Sequence, residues 1–116
     1  MPHRIIIING PNINLLGERE QSQYGKLTFS ELKKECLNIA QKENIEIEFY
    51  QSNVEGEIVT KIQDSRNKFD GIIINAAGFT HSSVSIRDAL DIVKKPKMDI
   101  IIAPTKGITG IFLSKK

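Results

Sequence analysis

The sequence predicts a three-layer α/β/α sandwich built around a parallel sheet. Short apolar runs rich in isoleucine alternate along the chain with segments whose apolar residues recur at helical spacing. Strands that alternate with helices in this way are joined by right-handed crossovers, and the resulting parallel sheet is covered by helices on both faces. The length of 116 residues suits one such domain and is too short for two.

The first half of the chain predicts two strands and two helices. Residues 5–8 form a β-branched run that stops at Asn9, which is typical of a strand buried on both faces. Thr28 and Glu31 have the spacing of a capping box. They open a first helix whose apolar residues are Leu32, Cys36, Ile39 and Ala40. Residues 45–50 alternate as a second strand does, and residues 52–55 cap a second helix with apolar positions Ile58, Val59 and Ile62.

The second half repeats this alternation. Residues 71–74 form a third strand that ends at Asn75, and a third helix follows with apolar positions Val84, Ile86, Ala89, Leu90 and Val93. Residues 98–102 are expected to form a fourth strand. This order is that of a flavodoxin-like fold, in which ligands bind beyond the carboxyl ends of the strands. We therefore expect the functional site after positions 8, 51, 74 and 100.

The composition excludes several classes of protein. The formal net charge is only +2, and the lysines are scattered, so the electrostatic footprint of a nucleic-acid-binding protein is missing. No apolar run approaches the roughly 20 residues needed to cross a membrane. One cysteine, Cys36, cannot form an internal disulfide, and no signal-peptide pattern follows Met1, so we expect a cytoplasmic protein. Cys36 itself is expected to fill the core.

No cofactor or metal is expected. Gly10 and Gly17 do not form the dinucleotide-binding pattern of glycines, and Gly25 lacks the surroundings of a phosphate-binding loop. His3 and His81 are the only histidines, and neither has a second ligand at a recognisable spacing.

The long loop over residues 11–26 carries candidate catalytic side chains. Asn12 and Asn14 are either turn residues or functional amides. Arg19 precedes Tyr24 by five residues, and a neighbouring cation lowers the pKa of a tyrosine, which can then act as a general base. An exposed arginine and a packed tyrosine ring explain the same spacing without catalysis, so both interpretations stay open.

A second candidate loop covers residues 75–83, between the third strand and the third helix. Its small residues let a ligand approach the backbone, and the N-terminus of a helix favours a carboxylate or phosphate. His81 either binds a hydroxylated ligand or is satisfied by neighbouring backbone.

Four segments, taken in order, resemble the type II 3-dehydroquinate dehydratases: INGPNINLLG at 8–17, Arg19 with Tyr24-Gly25, QSNVEGE at 51–57 and INAAGFTHSSV at 74–84. The resemblance extends from about Arg4 to Asp99. It implies a flavodoxin-like fold and a step of the shikimate pathway, the elimination of water from 3-dehydroquinate to give 3-dehydroshikimate. The elimination would pass through an enolate without a metal or cofactor.

The resemblance also implies catalytic roles. Tyr24 matches the base that removes a proton from the carbon beside the ketone, and Arg19 matches the arginine that keeps this tyrosine ionised. Asn12 matches the residue that positions a water molecule against the enolate oxygen, where fixed donors stabilise developing charge.

Substrate binding and assembly are implied in the same way. Asn75 and His81 match positions that bind the substrate carboxylate and a ring hydroxyl. Asp88, expected near the start of the third helix, matches a residue that reaches the site of a neighbouring subunit. The family forms trimers assembled into dodecamers, so a homo-oligomer is expected.

The resemblance fails after about residue 100. Asp99 and Ile100 match the end of the family's fourth strand, but Ile101 stands where the family has the histidine that protonates the departing hydroxyl. The serine-asparagine turn and arginine-containing segment that follow in the family are not found, and residues 111–114 are expected to be a remnant of the last helix. We interpret residues 1–116 as one dehydroquinase-like domain with segments missing after about residue 100, and a shortened paralogue is the alternative.

Two other functions stay open at this point. A catalytically impaired binding or scaffold protein of the same fold is suggested by the missing histidine. A regulatory or flavin-binding module is a more remote interpretation. The fold alone would permit it, since a fold does not determine function. However, no tryptophan is present to stack on a flavin.

Overall fold

The computed structural model describes residues 2–18, 27–77, 82–93, 95, 97–105 and 108–115, the last two ranges by their backbone alone. Within these ranges five strands form one sheet in the order β2-β1-β3-β4-β5. The strands are β1 (His3–Asn9), β2 (Ile45–Gln51), β3 (Gly71–Asn75), β4 (Lys97–Thr105) and β5 (Ile108–Lys115). The pairs β1–β2, β1–β3 and β3–β4 are parallel, as predicted.

In the described part of the chain, three α-helices alternate with the strands: α1 (Phe29–Lys42), α2 (Glu55–Ser65) and α3 (Val84–Ile92). A short 3₁₀ helix (Ile13–Leu15) follows β1. Thr28 caps α1, since its Oγ1 accepts from the Glu31 N–H at 3.1 Å and donates to Glu31 Oε1 at 3.0 Å. Ser83 caps α3 by accepting from the Ile86 N–H at 3.0 Å. No helix in the described part of the chain is long and apolar enough to cross a membrane.

The main core lies between the sheet and helices α2 and α3. The contributing strand residues point to one face because side chains alternate along a strand. The register pairs Ile6 with Ile72 and Ile8 with Ile74. These four isoleucines are at most 2% exposed, and they pack with Ile58, Ile62, Phe69, Ile86, Ala89, Leu90 and Val93. The predicted apolar positions of α2 and α3 therefore form most of this core.

Helix α1 covers the other face of the sheet, where the Phe29 and Phe49 rings lie 5.3 Å apart. Its buried stripe is centred on Cys36 and Ala40, so Ile39 lies beside the stripe and is 62% exposed. Val84, the first residue of α3, is 75% exposed. Both were expected on apolar helix faces, and that expectation is wrong. Cys36 is half-buried and is not a fully buried core residue.

The carboxyl-terminal segment corrects a second expectation. Residues 111–114 belong to β5 and not to a helix, and β5 pairs antiparallel with β4 from Met98↔Lys115 to Thr105↔Ile108. β-branched and aromatic residues favour a strand here, and an apolar run this short does not distinguish a strand from a helix. β4 is also longer than predicted, and the sheet has one antiparallel edge.

Candidate active site

Three neighbouring strands of the sheet all end in an amide side chain. The register places Gln51, the last residue of β2, and Asn75, the last residue of β3, on either side of Asn9, the last residue of β1. The carboxyl ends of parallel strands are where such sheets bind ligands. The structure therefore brings the starting points of the predicted loops together at one edge, and this edge is the candidate active site.

Asn9 joins β1 to the end of β2. Its side chain is buried, and Nδ2 donates to the Tyr50 carbonyl oxygen at 3.0 Å. Its own carbonyl accepts from the Ser52 N–H at 3.0 Å. With its amide donor bound to the backbone of the neighbouring strand, Asn9 has a structural role.

Gly10 joins the loop after β1 to the loop after β3. Its N–H donates to the Asn75 carbonyl oxygen at 2.7 Å. A Cβ atom at Gly10 would lie 2.5 Å from the Ala76 carbonyl oxygen. No side chain fits at this distance, so the close approach of the two loops requires glycine.

The sequence left open whether Asn12 is a turn residue or a functional amide, and its backbone and side chain bear on these interpretations separately. Its backbone is left-handed, with φ 68°, and asparagine tolerates this conformation better than most residues. Its N–H donates to Asn53 Oδ1 at 3.0 Å. Its exposed side chain, however, has no hydrogen-bond partner among the described residues. The turn is thus explained by the backbone, while the amide is available to a ligand or water.

Gln51 and Asn53 were not assigned roles from the sequence. Gln51 Nε2 lies 3.2 Å from the Gly10 carbonyl oxygen, 3.3 Å from Asn14 Oδ1 and 3.1 Å from Asn53 Oδ1. The signal for them was their position at the carboxyl end of the second strand, within a segment that also carries the resemblance.

Asn75 is 4% exposed, and its Oδ1 accepts from the Ala77 N–H at 3.2 Å. This bond closes a local turn in which Ala77 has φ 52°. Asn75 Nδ2 has no partner among the described residues. A buried amide donor is thus left at the edge where the predicted loop begins.

Asp88 lies on the surface. It is exposed at the centre of α3, which begins at Val84, so the expectation that it lies at the helix start is wrong. Because the capping residue Ser83 precedes Val84, the helix has made a full turn before Asp88.

Arg19, Tyr24 and His81 lie outside the described residues. Arg19 and Tyr24 stand in the sequence between Gly17 and Thr28, two residues that the structure describes. Gly17 has φ 89°, and a Cβ atom on it would lie 2.7 Å from Thr28 Cγ2 and 3.1 Å from Thr28 Cα. Gly17 and Thr28, on either side of this segment, therefore lie close together.

The charged cluster of the described sheet lies at its opposite edge. The Arg4 N–H donates to Asp70 Oδ2 at 2.8 Å, and His3 Nδ1 lies 3.7 Å from the same oxygen. The hydrogen bond from Arg4 is the main reason why the pKa of Asp70 is lowered. This cluster belongs to the amino-terminal end of β1, so it stabilises the sheet and does not form part of the candidate active site. Within the described residues, no group of three or more His, Cys, Asp or Glu side chains is placed to hold a metal ion.

Comparisons with known proteins identify the family of the chain. Residues 3–106 match the family model for class II dehydroquinases. The chain is 50% identical over 100 residues to a 3-dehydroquinate dehydratase of Endomicrobium trichonymphae, covering 86% of this chain and 70% of that protein. It is 49% identical over 100 residues to a 3-dehydroquinate dehydratase of Campylobacter jejuni, covering 63% of that protein.

Solved structures give the same result for the fold. The type II dehydroquinase of Butyrivibrio crossotus has a TM-score of 0.77 and 43% identity, over 83% of this chain and 69% of that one. The type II dehydroquinase of Propionibacterium acnes has a TM-score of 0.81 and 27% identity, over 85% and 68%. The predicted flavodoxin-like fold is confirmed, and the chain belongs to the class II dehydroquinase family.

Proposed function

We propose that this protein is a 3-dehydroquinate dehydratase, a hydro-lyase that converts 3-dehydroquinate to 3-dehydroshikimate through an enolate. The observation that carries the proposal is the edge formed by Asn9, Gln51 and Asn75, where the segments similar to the family meet. The 50% identity to a 3-dehydroquinate dehydratase supports the choice of substrate.

In the proposed first step, the Tyr24 phenolate removes a proton from the carbon beside the ketone, and the electron pair of that bond forms the enolate. Arg19 keeps the phenol ionised, because a nearby cation favours the charged form. Both residues belong to the loop over residues 11–26, and Gly17 and Thr28, on either side of them, lie close together. The loop of Asn12 lies on the same stretch of chain, which supports a common site.

Asn12 is proposed to hold a water molecule against the enolate oxygen. Two observations support this role: the side chain is exposed, and it has no hydrogen-bond partner among the described residues. A donor that is already in place stabilises charge developing in the transition state without reorganising at that moment.

Asn75 and His81 are proposed to bind the substrate carboxylate and a ring hydroxyl. The buried Asn75 amide supports this role, since its Oδ1 accepts from the Ala77 N–H and its Nδ2 has no partner among the described residues. An unpaired buried donor costs roughly 1–3 kcal/mol, so a ligand oxygen that pairs with it gains binding energy.

In the second step, the bond from carbon to hydroxyl breaks, the enolate electrons form the new double bond, and the hydroxyl leaves as water after receiving a proton. The family's proton donor is a histidine, and this chain has Ile101 at that position. Asp99 pairs with Ile74, so position 101 lies within β4 two residues beyond this pair, where the strand continues past the β3–β4 pairing. A proton donor at position 101 would therefore lie on the strand next to β3, although this sequence has isoleucine there.

We therefore also propose that the native protein is one dehydroquinase domain containing segments that this sequence lacks after about residue 100. The chain spans 70% and 63% of the two relatives described above, which supports this proposal. Mass spectrometry of the intact protein purified from its natural source tests it. A mass well above 13.0 kDa is expected, and a mass of 13.0 kDa would favour a shortened paralogue.

Assembly and location complete the proposal. A cytoplasmic homo-oligomer, with trimers assembled into a dodecamer, is proposed because the family assignment implies it. The exposed position of Asp88 on α3 supports contact with a neighbouring subunit.

The activity is tested by following the conjugated enone of the product in the ultraviolet after 3-dehydroquinate is added to the purified protein. Tyr24→Phe should abolish turnover, because phenylalanine has no ionisable group. Tyr50→Phe is the matched control: Tyr50 is the other tyrosine of the chain, and its ring packs against the core and Lys61. Binding of 3-dehydroquinate without turnover would instead identify an impaired binding protein.

A further inference from the structure

Two amide side chains from the end of β2 hold the loop that carries Asn12. Asn53 Oδ1 accepts from the Asn12 N–H at 3.0 Å and from Gln51 Nε2 at 3.1 Å. Gln51 Nε2 also lies 3.2 Å from the Gly10 carbonyl oxygen and 3.3 Å from Asn14 Oδ1. The bonds to Gly10, Asn12 and Asn14 join residues that are 37 to 41 positions apart in the chain, so they fix the loop against the sheet.

The orientation of both amides is determined by their neighbours. Asn53 presents its oxygen to two N–H donors, and a reversed amide would place its own N–H groups against them. Gln51 presents its nitrogen to three acceptor oxygens, and a reversed amide would place an oxygen against them. The pair therefore forms a directional network, in which Gln51 must donate and Asn53 must accept.

The network acts on Asn12, a non-glycine residue with left-handed backbone. A residue with a positive φ is held there by its surroundings, because the conformation is unfavourable for an L-residue. The Asn12 N–H is bound by Asn53, whereas the Asn12 side chain has no partner among the described residues. The direction of the Asn12 side chain therefore depends on the backbone that Asn53 and Gln51 hold.

We propose that Gln51 and Asn53 are positioning residues that set the direction of the Asn12 side chain for catalysis. This inference rests on the proposed function, in which Asn12 holds a water molecule against the enolate oxygen. Neither residue touches the substrate in this proposal, and both act through Asn12.

Two near-isosteric substitutions are expected to affect kcat differently. Asn53→Asp keeps an acceptor oxygen opposite the Asn12 N–H, so its kcat should stay within about twofold of wild type. Gln51→Glu puts a carboxylate against three acceptor oxygens, so its kcat should fall roughly tenfold at neutral pH with little change in KM. Asn53→Ala should resemble Gln51→Glu, whereas Asn38→Ala, on the exposed side of α1, is the control expected to match wild type.

The pH profile separates positioning from a loss of packing. A protonated glutamic acid donates one hydrogen bond, so the kcat of Gln51→Glu relative to wild type should recover as the pH falls toward the carboxyl pKa. Gln51→Met removes the donor at every pH, and its kcat relative to wild type should show no such recovery. Parallel profiles for Gln51→Glu and Gln51→Met would contradict the directional network.

A double-mutant cycle tests whether Asn53 acts through Asn12. In an Asn12→Ala background, Asn53→Ala should cause no further loss of kcat, because the side chain that it positions is already gone. Independent losses that multiply would overturn the proposal.

Hydrogen exchange tests the network even if the proposed activity fails. The backbone amide of Asn12 should exchange roughly tenfold faster in Asn53→Ala than in wild type, because its bound acceptor is lost, and it should remain protected in Asn53→Asp. Unchanged exchange in Asn53→Ala would overturn the proposal. A wild-type protein without turnover would refute the proposed function alone, and the positioning of Asn12 would then be judged by this exchange.

Discussion

Gly10 lies so close to Ala76 that a Cβ atom on Gly10 would stand 2.5 Å from the Ala76 carbonyl oxygen. The Gly10 N–H also donates to the neighbouring Asn75 carbonyl at 2.7 Å. The loops after β1 and β3 are therefore in direct backbone contact, and the space between them leaves no room for a side chain. This contact places the loop of Asn12 beside Asn75 at the candidate active site.

Gly10→Ala is expected to lower the free energy of unfolding by roughly 1–3 kcal/mol, the usual cost of overpacking. The obstacle is a backbone carbonyl, which cannot move aside as a flexible side chain can. Gly56→Ala is the matched control, since nothing lies within 4 Å of a Cβ built at this position in α2. That variant should gain about 0.4–1 kcal/mol. Urea unfolding measures both, and equal effects would contradict the packing described for Gly10.

Ile62→Ala should lower the free energy of unfolding by roughly 2–5 kcal/mol, because it opens a cavity in the core between α2 and the sheet. The Ile62 side chain is 0% exposed. Ile39→Ala makes the same chemical change at a residue of α1 that is 62% exposed, and its effect should stay within about 0.5 kcal/mol. Comparable losses at the two positions would show that the core does not lie where the structure places it.

Asp70 should make the stability of the fold depend on pH. The backbone N–H of Arg4 is the main cause that holds the pKa of this carboxyl below its usual value, and the charges of His3 and Lys95 act in the same direction. A pKa lowered by folding adds stability above the usual carboxyl pKa of about 3.9, and this stability is lost as the pH falls through the lower folded pKa.

Asp70→Asn should therefore be less stable than wild type at neutral pH, and the difference should shrink in acid below about pH 4. Urea unfolding at a series of pH values measures this difference. Asp64→Asn, an exposed carboxylate of α2, is the control and should change the profile much less. A difference that does not vary with pH would contradict the assigned cause.

Cys36 should react slowly with disulfide reagents at neutral pH in the folded protein. Burial and then the nearby Glu35 carboxylate raise the pKa of its thiol, which reduces the reactive thiolate. Glu35→Gln should speed the reaction, whereas Glu43→Gln, beyond the end of α1, should leave the rate close to wild type. A rate in the folded wild type equal to that in urea would rule out this protection.

Much of the fold follows from local patterns in the sequence. The runs at Ile6 and Ile72 read as buried strands, and Ile58 with Ile62 read as the inner face of a helix, because each pattern repeats with the period of its own element. β5 was missed since the run around Phe112 is short and satisfies either period. Its pairing with β4 is a tertiary contact that no local pattern encodes.

The candidate site was only partly predictable for the same reason. Asn12 and Asn75 were singled out because each comes after a predicted strand and resembles a position of the family, and their roles stay predictions. The network around Gln51 and Asn53 was not found, since it joins side chains to a loop 41 residues earlier. The outward position of Ile39 depends on how α1 is rotated over the sheet, which its apolar spacing does not determine.

The pairing of Asn9 with Gly10 also bears on the chemical ageing of the protein. An asparagine followed by glycine is prone to deamidation, in which the glycine nitrogen attacks the side-chain carbonyl carbon. Here the Gly10 N–H is bound to Asn75 and the Asn9 amide is bound to Tyr50, so neither group is free to reach the geometry of attack. Conversion of Asn9 to aspartate should thus require β1 to separate from its neighbours. The rate of this deamidation therefore reports how often this edge of the sheet opens.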